Sequence, residues 1–268
     1  MIRDITVGQY YQTESVLHSL DPRTKLIGVL VYLVSLFLFN SISVYIIATV
    51  FLVSTIALSR VPVSYILKGM RSMVFILLLT VIFNVFLTPG VPVFTFWKLQ
   101  VTREGLVVAG YTAVRLIYLI IGSSLLTFTT TPNNLTDGLE SLMKPLKAFR
   151  VPVHEVAMMM SIALRFIPIL LDETDKIMKA QQARGADFEH GNILRRAKAL
   201  VPILVPLFVS AFRRANDLAM AMEARCYRGG DGRSKMKPLK YKGRDIAAFI
   251  ILIVYFAAVI AAGRFSPL

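Results

Sequence analysis

Two segments of this 268-residue chain end in nearly the same phrase: Ala180-Gln181-Gln182-Ala183-Arg184-Gly185 and Ala221-Met222-Glu223-Ala224-Arg225-Cys226. An arginine at such a place has two simple duties. It can sit in the last turn of a helix, where a cation complements the macrodipole for a few tenths to about 1 kcal/mol, or rest on anionic lipid headgroups. It can also hold a carboxylate of another protein, because its planar fork binds bidentately. One arginine alone favours the first kind of duty. The matched contexts of Arg184 and Arg225 favour the second, with Ala183, Gly185, Ala224 and Cys226 shaping the two tips.

Other chemistries lack their residues. The sequence has no G-x-x-x-x-G-K-[ST], and 229–235 has the wrong order for one, so no P-loop nucleotide site is expected. There is no H-E-x-x-H and no nucleophile elbow, and the three histidines are scattered without metal-ligand spacing. A single cysteine, Cys226, excludes an internal disulfide. The expectation is a non-catalytic chain with no cofactor, no metal and no nucleic-acid partner. If it takes part in active transport, the energy comes from another chain.

The elements that carry the tips are long helices. One is expected from about Pro152 to Arg184, with an apolar stripe of Val156, Met160, Ala163, Ile167, Leu170, Thr174 and Ile177. Its other face carries Arg165, Asp172, Lys176 and Lys179, and the pairs Asp172–Lys176 and Asp175–Lys179 stand in the favourable acid-before-base order. A second, capped by Asn192 and ending near Arg225, would be about 50 Å long, with kinks expected at Pro202 and Pro206. Phe166-Ile167-Pro168-Ile169-Leu170 parallels Leu200-Val201-Pro202-Ile203-Leu204, so the two helices read as versions of one unit. Ala211, Ala215 and Ala219 form a small-residue ladder that lets another helix approach closely. Met158, Met159, Met160, Met178, Met220 and Met222 gather on the same two helices. They suit core filling and adaptable docking equally. A shorter helix is expected from Thr131-Pro132 to about Lys144-Pro145, and Gly229-Gly230-Asp231-Gly232 breaks the chain before a basic run from Arg233 to Arg244.

Composition places these helices beside a membrane. The chain is 56% hydrophobic with mean hydropathy +0.64, yet its formal charge is +14, so apolar and basic residues must be segregated. Five spans are expected, at 26–39, 42–58, 73–87, 105–128 and 246–262; the first pair forms a hairpin around Asn40-Ser41, or alternatively one broken helix. The first twenty residues lack the apolar core of a cleavable signal peptide. Arg23, Lys25, Arg60, Lys68, Arg71 and the basic block 129–245 put the N-terminus and that block in the cytoplasm; Lys98 and Pro267-Leu268 then lie outside. The expected organisation is a membrane bundle over 1–128, a coupling region over 129–245 and a final span over 246–268. Arg115 lies midway along the fourth span, where snorkelling, internal pairing and function are all open.

The chain resembles the transmembrane (T) component of energy-coupling factor transporters, a family that includes the cobalt-transport membrane subunit. The resemblance runs from Tyr10-Tyr11-Gln12-Thr13-Glu14-Ser15-Val16-Leu17-His18-Ser19-Leu20-Asp21-Pro22-Arg23-Thr24-Lys25, through Ala163-Leu164-Arg165-Phe166-Ile167-Pro168, to the two arginine signatures. It implies an all-α polytopic membrane bundle joined to long cytoplasmic coupling helices in the plasma membrane. Ala183-Arg184-Gly185 would enter one ATP-binding cassette ATPase and Ala224-Arg225-Cys226 the other. A separate membrane substrate-binding (S) component for a vitamin or metal ion would pack on the coupling helices, with Met159, Met160, Ala211, Ala215 and Ala219 as its contacts. Cys226 stands where this family commonly has glycine, so the second chain reversal is expected to differ. The rival readings are a dedicated cobalt or nickel subunit, a stand-alone carrier and a lipid-active enzyme.

Overall fold

A computed structural model describes residues 10–71, 73–96, 99–186, 188, 193–230, 236 and 238–265. Lys98, the Asn192 cap, Asp231-Gly232, the start of the basic run at 233–235 and Pro267-Leu268 lie outside the described residues. The described residues divide into two compact units, one of 10–142 with 239–265 and the other within Met143–Pro238.

The first unit is a helix bundle. Asp21 caps α1 (Pro22–Leu38), accepting the Arg23 N–H at 2.9 Å, and Pro22 supplies the preset first turn. Asn40-Ser41 then separates α1 from α2 (Ile42–Ser59), so the first pair is a hairpin of two helices rather than one broken helix. The segment that reads as a basic loop contains a helix, α3 (Val63–Met70), which meets α4 (Val74–Leu87) at a bend of 62°. The turn expected after α4 opens into a short antiparallel hairpin, β1 (Pro92–Phe96) with β2 (Leu99–Thr102). Thr102 caps α5 (Arg103–Thr129), accepting the Gly105 N–H at 3.0 Å. Helices α6 (Pro132–Met143) and α9 (Gly243–Phe265) complete the unit, the proline of α6 standing first as expected.

Among the described residues, four helices are long and apolar enough to cross a membrane: α2, α5, α9 and Val153–Ala183, and the bent α3–α4 pair makes up to five. Helix α1, at 17 residues, is slightly shorter. Val153–Ala183, expected in the coupling region, qualifies because its first half carries only Glu155 and Arg165 as charges among Met, Ile and Leu, the other charges lying in its second half. Leu30, Val50, Phe75 and Ile253 are more than 60% exposed on the bundle surface. Such side chains are costly in water and at home in lipid.

The core of this unit holds Tyr32, Leu36, Ala48, Leu52, Phe128 and Tyr255. Ser35 Oγ and the Tyr255 hydroxyl bond to each other at 2.7 Å, as hydrocarbon surroundings favour, while the buried Tyr32 hydroxyl has no hydrogen-bond partner among the described residues. Gly122 lets α5 reach α1, for a Cβ there would come within 2.6 Å of the Tyr32 ring. Arg115 pairs internally. Its guanidinium donates to the Tyr45 hydroxyl at 3.1 Å and to Asn40 Oδ1, and lies over the Phe37 ring, which ties α5 to the α1–α2 hairpin.

One end of the bundle is closed by a polar knot. Asp245, 1% exposed, accepts the Asp21 N–H and the Lys242 N–H, each at 2.8 Å, and the Thr24 hydroxyl at 3.3 Å. Lys25 donates to the carbonyls of Thr129 at 2.8 Å and His18 at 3.2 Å. Burial alone would raise the Asp21 carboxyl, but hydrogen bonds and charge from Arg23 outweigh it and hold the group below its ordinary value. The starts of α1 and α9 and the end of α5 therefore meet at one place.

Candidate functional site

The second unit presents the arginine phrases. After a 3-10 turn (Lys144–Phe149), α7 (Val153–Ala183) starts at Pro152, close to expectation. Helix α8 (Ile193–Ala224) ends one residue before Arg225 and carries Pro202 and Pro206 within it. Arg165, Asp172, Lys176 and Lys179 are all exposed, so the polar face of α7 lies where the periodicity puts it.

The two helices run antiparallel. Arg214 donates to Glu173 at 3.2 Å, and Gln181 Nε2 reaches the Pro202 carbonyl at 3.5 Å, so positions advancing along α7 meet positions receding along α8. Ala211, Ala215 and Ala219 line a groove of about 280 Å3 opposite Ile162, Phe166 and Leu170. The close approach that their small side chains allow is one between α7 and α8 themselves, although Ala215 and Ala219 remain exposed. Met222 also lines the groove, whereas Met159, Met160 and Met220 are 58%, 40% and 61% exposed and do not fill a core.

Both tips close in the same way. At the first, the Gly185 N–H bonds to the Gln182 carbonyl at 2.9 Å and the Ala186 N–H to the Gln181 carbonyl at 3.0 Å. At the second, the Cys226 N–H bonds to the Glu223 carbonyl at 2.8 Å and the Tyr227 N–H to the Met222 carbonyl at 3.0 Å. This paired pattern is the Schellman ending, which requires a left-handed residue after the last helical carbonyl. Gly185 (φ 90°) and Cys226 (φ 54°) fill that place. The second reversal therefore matches the first, against the expectation that cysteine would alter it. The cost is the left-handed strain of a side chain, about 1–2 kcal/mol.

Arg184 and Arg225 each occupy the residue before that left-handed position, and both are exposed. Because α7 and α8 are antiparallel, Arg184 lies beside the residues near Pro202, more than twenty residues before Arg225. At 1.5 Å per residue the two helix ends lie roughly 35 Å apart along α8, at opposite ends of the pair. Two like cations on like turns, this far apart, suit two separate partners better than one bidentate ligand. The cross-helix Arg214–Glu173 pair was not anticipated, because 41 residues separate its members and nothing local marks either one.

The CbiQ family, described as cobalt transport protein, matches residues 13–238. The energy-coupling factor transporter transmembrane protein EcfT of Clostridium kluyveri is 56% identical over 256 residues, covering 95% of each chain. The protein of that name from Ruminiclostridium cellulolyticum is 52% identical over 260 residues, 97% of each chain. That of Bacillus subtilis is 46% identical over 258 residues, 96% of this chain and 97% of its own.

Proposed function

We propose, from the premise that the chain belongs to the CbiQ family and is a transmembrane component of an energy-coupling factor transporter, that its duplicated helix ends are the points where two ATPases act on it. Arg184 and Arg225 are the docking pins, flanked by Ala183 and Gly185 at one tip and by Ala224 and Cys226 at the other. The single observation that carries this reading is the pair of matching Schellman endings, each presenting an exposed arginine at opposite ends of one antiparallel pair. Each pin meets an acidic groove on one ATP-binding cassette ATPase. The chain itself is non-catalytic.

Specificity resides in a membrane substrate-binding component for a vitamin or other micronutrient. It packs against the exposed Met159 and Met160 and the groove edged by Ala211, Ala215 and Ala219. The recurrence of the EcfT name among the relatives favours this general module over a dedicated cobalt or nickel subunit. The module sits in the plasma membrane with its N-terminus in the cytoplasm. The basic residues Arg23, Lys25, Arg60, Lys68 and Arg71 support that orientation. The starts of α1 and α9 meet the end of α5, which fits alternate crossings that bring these three ends to one side.

Charge reversal tests the pins. Both side chains are exposed, so Arg184→Glu and Arg225→Glu leave the fold intact. Removing one partner of a close interfacial charge pair costs about 2–5 kcal/mol, so each change is expected to weaken ATPase association and abolish uptake, and the double change to eliminate association. Co-purification of ATPases with the double mutant at the wild-type level, together with normal uptake, would refute the assignment.

A further inference from the structure

The bundle unit contains a cavity of about 310 Å3 enclosed by α1, α2, α5 and α9, with the Val16–Leu20 segment across its end. Its walls are hydrocarbon, including Val29, Phe51, Leu52, Leu125 and Leu252. Its rim is open, for Val16, Leu58, Arg244, Ala247 and Ile251 are exposed. A closed apolar cavity of half this volume stays dry and accepts a small apolar ligand; one that opens from a membrane bundle has lipid chains for neighbours.

The rim is polar and cationic at one end only. Lys25 and Arg244 both line the cavity there. Lys25 spends two donors on neutral carbonyls, and Arg244 donates to Ser19 Oγ at 3.0 Å. Among the described residues neither forms an ion pair. Nearby Asp21 is engaged by Arg23, and Asp245 by two backbone N–H groups and the Thr24 hydroxyl. From Lys25 to Tyr32, which stands deep in the same cavity, α1 rises about 10 Å.

We propose that this cavity is a binding site for one anionic phospholipid, its acyl chain lying between α1, α2, α5 and α9 and its phosphate facing Lys25 and Arg244. Charge complementarity selects this occupant. The apolar face of a helix from another membrane protein brings no anion to the two cations at the end of the cavity, and a zwitterionic lipid would answer them with no net charge.

Gly28 provides a direct probe. It lines the cavity, and a Cβ added there meets nothing within 4 Å, so Gly28→Leu fills the space without displacing a neighbour at its first atom. The test is native mass spectrometry of the full-length chain in detergent, titrated with phosphatidylglycerol or with phosphatidylcholine of identical acyl chains. The expected result is retention of one phosphatidylglycerol per chain, at a concentration where phosphatidylcholine is lost. Arg244→Gln, an exposed change, is expected to weaken retention about fivefold, the scale of one basic side chain at an anionic surface. Gly28→Leu, with its elution profile unchanged, is expected to abolish it. Equal retention of the two lipids, retention insensitive to Arg244→Gln, or wild-type retention by a folded Gly28→Leu chain would each overturn the proposal. An empty wild-type chain would do the same and leave the cavity to a protein helix. None of these results depends on the ATPase pins, so the two proposals fail separately.

Discussion

Replacing Asp245 by asparagine changes the bundle's polar knot by one atom and one charge. The carboxylate holds three donors: Asp21 N–H and Lys242 N–H at 2.8 Å, and the Thr24 hydroxyl at 3.3 Å. Two of these share Oδ1 and the third uses Oδ2. An asparagine can therefore turn its carbonyl toward the α1 pair, but its amide then faces the Lys242 N–H, donor against donor. A buried donor left without a partner costs about 1–3 kcal/mol, and the remaining bonds lose their charge assistance. Together these amount to roughly 2–4 kcal/mol. At about 2–4 °C per kcal/mol for a chain of this size, the melting temperature in detergent is expected to fall by roughly 4–16 °C. Asp245→Ala, which strands all three donors, falls further. Thr24→Val removes only the longest bond and falls least, by about 0.5–1.5 kcal/mol. Melting of purified full-length chains, followed by loss of monodisperse protein on heating, ranks the three. An Asp245→Asn protein that melts with the wild type, or a Thr24→Val protein that melts below it, would refute this account of the knot.

Two further outcomes concern stability. Gly185→Ala is expected to destabilise the α7 ending by about 1–2 kcal/mol, the cost of a side chain in the left-handed region; Cys226→Ala changes little because that strain is already present. Comparative denaturation of the two variants checks it, and equal effects would count against the shared turn. The Asp21 carboxyl is held below its ordinary value of 3.8, so its contribution is complete above that value and is lost as pH falls through the lower, folded one. Melting temperature measured against pH is expected to drop on the acid side, with the drop moving to higher pH in Arg23→Gln.

The helix tips were legible because their signals are local. Ala-x-x-Ala-Arg followed by glycine marks an ending, and the proline at 132 marks a beginning. The equivalence of Cys226 and Gly185 was not legible, because residue type predicts a left-handed turn only through glycine's freedom. Here the two carbonyl-satisfying bonds hold a cysteine in that conformation. Helix α3 was hidden by Arg60, Lys68 and Arg71, whose charges read as a loop although Ile66 between them is buried at 2% exposure. The α7–α8 crossing was half visible. The alanine ladder announced a close approach, but Glu173 and Arg214 carry no sign in sequence that they meet.

The Asp21–Asp245 bond also sets an order of events in synthesis. Its two residues are 224 apart, and at 5–20 residues per second about 10–45 s pass between their translation. Through that interval α1 has its own cap, yet the backbone N–H of that cap residue has no carboxylate to meet. The ring of helices can lock only when the last of them arrives. A ribosome that stops before residue 245 therefore leaves α1 unlatched, a state that quality-control proteases can recognise and remove.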